Sequence, residues 1–225
     1  MPSTPGFTQI RLERQEPIAK IYLDRPRYRN AQSRILREEL DVAFELCRHD
    51  DAVKVVVLLG AGDHFSAGHD LGTPEEKADL AERPVADSIR ARFRRSHMFN
   101  VENTMRWRDF PKPTIAAVQG YCIFAGWMVA SAMDVVVASD DAEFLPEFLQ
   151  FFTMPWDVSP RRAKEILFEG RFVSAREAHE IGFVNRVVPR EELEATAVRM
   201  ALTWAENDIY RLEIIKEGFN GVQDA

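Results

Sequence analysis

Apolar residues fall in short runs along this chain, and the spacing within each run predicts its element. Residues 18–23 are an apolar, branched run stopped by Asp24, Arg25 and Pro26, the pattern of a strand ending in a turn. Ser33 stands where a helix cap is expected, ahead of Ile35, Leu36, Leu40, Phe44 and Cys47 on one helical face. Residues 53–59 are apolar without helical period and are bounded by Gly60 and Gly62, which predicts a strand buried on both faces. Residues 73–108 are polar and arginine-rich, with helical spacing through Leu80, Val85, Ile89, Phe93 and Phe99.

Pro111 and Pro113 punctuate the chain before a strand over 114–118, and Gly120 opens a segment of helical apolar spacing that ends near Asp134. Val135 begins another strand. Ser174 and Glu177 have the spacing of a capping box, whose helix stops at Gly182. Pro189 opens the next helix, with Glu191 and Glu192 in its positive first turn and Leu193, Ala197, Met200 and Trp204 on one face. With no clean repeat and no linker, the pattern predicts one α/β unit with a mainly helical C-terminal third.

Composition narrows the functional classes. At 225 residues, 46% hydrophobic and 29% charged, the chain is an ordinary globular protein, long enough for one domain with appendages. Lys plus Arg number 29 against 36 Asp plus Glu, and the net charge of −7 has the wrong sign for a nucleic-acid binder, the arginines between 90 and 108 being the local exception. Two cysteines, Cys47 and Cys122, are too few for a disulfide scaffold or a thiolate metal site, so a cytoplasmic location is expected. Residues 1–6 read as a tail rather than a leader, and the most apolar stretch, 121–133, falls short of the roughly 18 residues of a membrane span.

Several motifs fail. Phe65 stands where a dinucleotide fingerprint needs its third glycine, and His64 where a nucleophile elbow around Ser66 needs its first. Asp63, His64, His69 and Asp70 match no metal-ligand spacing, so no metal is expected. Two small-residue turns survive, residues 65–71 and 120–126, each directly after a predicted buried strand. Small residues let backbone approach a ligand closely, and the first N–H groups of a following helix are free to bind an oxyanion. Either turn alone reads more readily as a tight connection; the two together could supply two converging donors.

With Asn30 and Ala31 after residues 18–26, residues 111–120, Phe144 to Glu147 and residues 170–187, these turns make the chain resemble the crotonase superfamily, the enoyl-CoA hydratase/isomerase family. The resemblance implies an α/β fold, a crotonase-like ββα spiral core over 1–190 with a shortened helical C-terminal region over 191–225, assembled as a homotrimer or hexamer. It implies an acyl-CoA thioester as substrate and no cofactor beyond the coenzyme A that substrate carries, with no nucleic-acid or membrane partner. By motif position the backbone amides of His69 and Ala125 would form an oxyanion hole, and Glu147 would be the acid/base. Ala31, Ala67, Gly68, Asp70, Leu71, Gly126, Met128 and Trp156 would contact the thioester. Arg27 and Arg29, with Arg25, would lie near the CoA nucleotide, where guanidinium groups pair with phosphates.

Two departures bear on the reaction. The first glutamate of the family's hydratases is replaced by Met128, and Trp156 stands in what is usually a glycine-rich turn, where it would narrow the acyl pocket or pack at the surface. Hydration uses one group to deprotonate water and another to protonate carbon, whereas moving a double bond needs a single base. Isomerisation or another enolate reaction is therefore expected over hydration, with Asp157, His69 or Asp70 as candidate substitutes for the missing glutamate. The alternative is a non-catalytic acyl-CoA-binding or scaffold subunit.

Overall fold

The computed structural model describes residues 6–146 and 157–225. In chain order it contains β1 (Ile10–Gln15), β2 (Ile18–Leu23), α1 (Arg34–Arg48), β3 (Val55–Gly60), α2 (Pro74–Glu82) and α3 (Ile89–His97). A π-helical turn over Met98–Glu102 joins α3 to α4 (Asn103–Arg108). There follow β4 (Thr114–Val118), β5 (Tyr121–Ile123), α5 (Ala125–Ser131), β6 (Val135–Ser139) and β7 (Glu143–Leu145). The C-terminal part holds α6 (Pro160–Glu169), β8 (Val173–Ser174), α7 (Ala175–Glu180), β9 (Arg186–Val188), α8 (Leu193–Ala205) and α9 (Ile209–Gln223).

Six strands form the main sheet in the order β1-β2-β3-β4-β6-β9, parallel except for the antiparallel β1–β2 pair. A second sheet has the order β5-β7-β8. The main sheet is apolar on both faces, which is why β3 reads as a continuous run. Val56 and Leu58 point into a core shared with α1, α5 and the second sheet, while Val55, Val57 and Leu59 point the other way, against Leu193, Ala197, Ala201 and Ala205 of α8. The predicted caps form: the Ser33 hydroxyl accepts from Leu36 N, and that of Ser174 from Glu177 N. The arginine-rich stretch is helical as α2 and as α3 to α4, but breaks over residues 83–88, which hold Val85, and Ile89 and Phe93 of the expected apolar spacing are exposed.

One expectation is corrected. The segment after Gly120 is not helical from its start, because Tyr121–Ile123 pair with β7 and the Ile123 amide donates to Ser66 O, so the helix begins only at Ala125. β1 and α6 were not anticipated. In β1, Arg11, Glu13 and Arg14 leave only Ile10 and Leu12 as apolar markers, and it is pairing with β2 that makes it a strand.

Candidate active site

The two small-residue turns lie against each other. Ser66 forms an isolated parallel bridge with Cys122, the Ser66 amide donating to Tyr121 O at 2.9 Å and the Ile123 amide to Ser66 O at 2.9 Å. On its other side the first turn pairs with the segment after Asn30. Ala67 N donates to Arg29 O, Gln32 N to Gly68 O at 2.7 Å, and Asp70 N to Gln32 O at 3.1 Å. Gln32 thus brackets His69 and leaves the His69 amide outside the bridge. Among the described residues, neither the His69 nor the Ala125 amide donates a hydrogen bond.

Glycine is required at both contacts. Gly68 has φ +93°, and a Cβ there would lie 2.9 Å from Ile123 O and 3.6 Å from Ala125 N; a Cβ on Gly126 would lie 2.7 Å from Ser66 O. Ala125 N is therefore in contact range of the residue preceding His69. Phe124, with φ 47° and ψ −108°, turns the chain into α5 from a left-handed conformation uncommon for a non-glycine residue, held by its amide on Leu145 O. The Gln32 side chain closes the unit, donating from Nε2 to Ala125 O at 2.9 Å and to Ser66 Oγ at 3.3 Å. Ser66 Oγ in turn donates to Asn30 O and accepts from Gly68 N. Gln32 was not singled out by sequence reasoning, and Ser66 entered it only as the centre of a nucleophile elbow that fails. Their signal is positional only: two polar residues, both fully buried, in the segments that meet.

Asp70 and Arg25 hold the end of the first turn. The Asp70 carboxylate accepts from Gly72 N, Thr73 N and Thr73 Oγ1, and pairs with Arg25 Nη1 at 2.8 Å, its side chain fully buried. Burial works to raise its pKa, but the Thr73, Gly72 and Arg25 hydrogen bonds outweigh it and hold the carboxyl below its usual range. Arg25 also donates to Ala31 O and Thr73 Oγ1. It is therefore spent inside the fold rather than offered to a phosphate, which corrects that part of the expectation; Arg27 and Arg29 are exposed. Leu71, next to Asp70, is 98% exposed.

His69 Nε2 lies 2.8 Å from Asn100 Oδ1. Burial, then the charge of Arg37, pushes its pKa below the usual histidine value, the Asn100 bond acting in the opposite sense. His64, the other histidine of the turn, accepts from Tyr121 N at Nδ1 and stacks on the Tyr121 ring. Both rings thus have structural partners. Met128 is fully buried in the core beneath the site. Asp157 is exposed and lines a cavity of about 320 Å³ with Ser131 and Met133, at the C-terminal end of α5, whereas the Ala125 amide is at that helix's first residue. Glu147 and Trp156 lie outside the described residues.

Among the described residues no group of three His, Cys, Asp or Glu side chains is gathered as a metal site, and no helix is long and apolar enough to cross a membrane. The enoyl-CoA hydratase/isomerase family model matches residues 13–224. A putative enoyl-CoA hydratase, EchA13 of Mycobacterium tuberculosis, is 38% identical over 97% of this chain and 76% of its own. A probable enoyl-CoA hydratase from Mycobacterium smegmatis superposes with a TM-score of 0.87 at 38% identity, covering 96% of this chain and 86% of that one. A monofunctional enoyl-CoA isomerase from the same organism superposes with a TM-score of 0.79 at 28% identity, covering 96% and 94%. In fold and in sequence, this chain belongs to the enoyl-CoA hydratase/isomerase family of the crotonase superfamily.

Proposed function

We propose that the chain acts on an acyl-CoA thioester through an enolate, with the amides of His69 and Ala125 donating to the thioester oxygen and Glu147 moving the proton. The observation that carries this reading is the locked pair of turns: two unspent backbone amides on segments joined by the Ser66–Cys122 bridge. Removing a proton beside a thioester places negative charge on the carbonyl oxygen, and preorganised donors aimed at it are usually the largest catalytic contribution, about 3 to 4 kcal/mol for each. The exposed Leu71 supports a ligand lying along the turn, since an apolar side chain 98% exposed beside a buried ion pair gains by being covered.

Met128 favours double-bond isomerisation or another enolate reaction over hydration. Its position is fully buried among apolar side chains, so it supplies no second proton carrier. The same observation supports the second reading, an acyl-CoA binder without turnover. Self-assembly accords with the exposed Tyr210, Ile214, Phe219 and Val222 of α9.

Assays on 2-enoyl and 3-enoyl thioesters with the wild type and Glu147→Gln separate the readings. Conversion of the 3-enoyl compound, lost in the variant while CoA-thioester binding persists, supports the enolate enzyme. Unchanged turnover in the variant removes Glu147 from the mechanism, and thermal stabilisation by acetyl-CoA with no conversion of either substrate by the wild type supports the binder.

A further inference from the structure

The ring of His69 is tied at one nitrogen and open at the other. Nε2 lies 2.8 Å from Asn100 Oδ1, and Asn100 Nδ2 is spent on Ser96 Oγ at 3.1 Å, so Oδ1 faces the ring as an acceptor and Nε2 carries the proton. Nδ1 of the neutral ring is then an acceptor. Among the described residues it has no hydrogen-bond partner, yet it is not shut off from solvent as the unpartnered nitrogens of Arg37 are. Asn100 is presented by the π-helical turn over Met98–Glu102, a rare geometry that recurs at functional sites. Arg37, buried on α1 with Asp41 as its counter-charge, pins this turn by donating from Nη2 to Phe99 O, and the Thr104 hydroxyl donates to Asn100 O at 3.3 Å. The tautomer of His69 is thus set by a turn held from two sides.

The charges around the ring keep it neutral. His69 shares a cavity of about 160 Å³ with Arg34 and Arg37 of α1, Asp70 of its own turn, Glu76 of α2 and Arg95 of α3. Both carboxylates are already engaged, Asp70 by Arg25 and Glu76 by Arg34 N and Arg95. Burial and then the charge of Arg37 hold the ring below the usual histidine pKa, so near neutral pH it is a base rather than an acid. At roughly 30 Å³ per water, this polar cavity holds about five.

We propose that His69 supplies the second proton-transfer group that Met128 leaves out, its Nδ1 taking a proton from a water that adds to a 2-enoyl thioester. This rests on the acyl-CoA reading above and extends it. The amide and Nδ1 of His69 are joined through Cα, Cβ and Cγ alone, so a water on Nδ1 stands beside an acyl group whose oxygen the amide holds. The water oxygen bonds to C3, and the C2=C3 electron pair moves onto the thioester oxygen between the two amides. The enolate then takes a proton at C2 from Glu147, while Nδ1 releases its proton to solvent and Glu147 regains one there. The product is a 3-hydroxyacyl thioester, and the preference for isomerisation drawn from Met128 alone lapses.

The test pairs each member of a panel of aliphatic and aromatic 2-enoyl-CoA thioesters with its saturated counterpart. Hydration of the first is read by loss of the enoyl absorbance, and exchange at C2 of the second by NMR in D2O. The wild type should hydrate at least one 2-enoyl thioester whose saturated partner exchanges. His69→Phe, which keeps the amide, should lower hydration by about a hundredfold or more, at least about tenfold beyond any fall in exchange. Asn100→Asp places a carboxylate on Nε2–H and should move the acid limb of the hydration profile upward by about one pH unit or more. Nitrogen NMR of the wild-type histidines should show the Nε2–H tautomer for His69. Exchange without hydration in every pair, hydration by His69→Phe within about threefold of the wild type, or the Nδ1–H tautomer would overturn the proposal. If the wild type neither exchanges nor hydrates any pair, the acyl-CoA enolate reading falls with it. Should His69→Phe fail to fold, the wild-type tautomer and the Asn100→Asp profile decide.

Discussion

Gln32 donates its side-chain amide to the carbonyl oxygen of Ala125 at 2.9 Å, and its own backbone pairs with Gly68 and Asp70 on either side of His69. One residue thus touches both segments that carry the unspent amides. The bond from Gln32 N to Gly68 O fixes the peptide plane that carries the His69 N–H, and the side-chain bond to Ala125 O anchors the first turn of α5, so Gln32 is a positioning residue for the pair.

Replacing Gln32 with Leu removes the side-chain donor to Ala125 O and to Ser66 Oγ, while Ala125 O keeps its place in the α5 helical ladder, a loss of about 0.5 to 1.5 kcal/mol for each bond. If the two amides act together, kcat should fall by about ten- to hundredfold with KM changed by less than about threefold. Steady-state kinetics beside a thermal melt distinguish this from simple destabilisation, in which the rate per folded molecule would be unchanged.

Gly68→Ala and Gly126→Ala each insert a methyl 2.9 Å or less from a carbonyl oxygen of the opposite turn. Gly68 also sits at φ +93°, which alanine resists. Each variant should lose about 1 to 3 kcal/mol in urea denaturation and should separate the turns, lowering turnover beyond the loss of folded protein. A variant with native stability and native turnover would contradict the close contact.

Arg25→Met removes the partner of a fully buried carboxylate. Asp70 would keep its bonds from Gly72 and Thr73 but lose the guanidinium charge. Breaking a buried pair from one side costs about 3 to 5 kcal/mol, and chemical denaturation should read a value in that range. If Arg25 were instead a phosphate ligand, the variant would fold normally and lose only affinity for free coenzyme A.

His64 and His69 both have pKa values depressed below 6.5, chiefly by burial and then by the charges of Arg29 and Arg37 respectively. The unfolded chain therefore binds more protons than the folded one once the pH drops toward 6.5, so stability is full above that value and declines as the pH falls to the depressed folded values. Unfolding free energies measured from pH 8 to 5 should fall through this window, and His69→Gln should flatten the decline. A flat profile in the wild type would contradict the depressed values.

Much of the architecture can be read from local pattern because it depends on residues close in sequence. The doubly buried β3 is a continuous apolar run, and the Ser33 and Ser174 caps need only the next three residues. Gly68 and Gly126 are legible as points of close backbone approach, although not what they approach. Gln32 is not legible, since its role depends on Ser66 and Ala125, 34 and 93 residues away. Tyr121 to Ile123 has helical spacing but yields to the backbone partners offered by Ser66 and β7. Local spacing cannot weigh a strand partner that arrives from elsewhere in the chain.

Enolate formation can be followed without knowing the final product. A panel of saturated and 3-enoyl CoA thioesters incubated with the wild type in D2O, and read by NMR, reports exchange at the carbon beside the thioester carbonyl. The account predicts enzyme-dependent deuterium at that carbon for at least one thioester, abolished by Glu147→Gln and reduced by Gln32→Leu. Tight binding of the thioesters with no exchange above the buffer rate would contradict it.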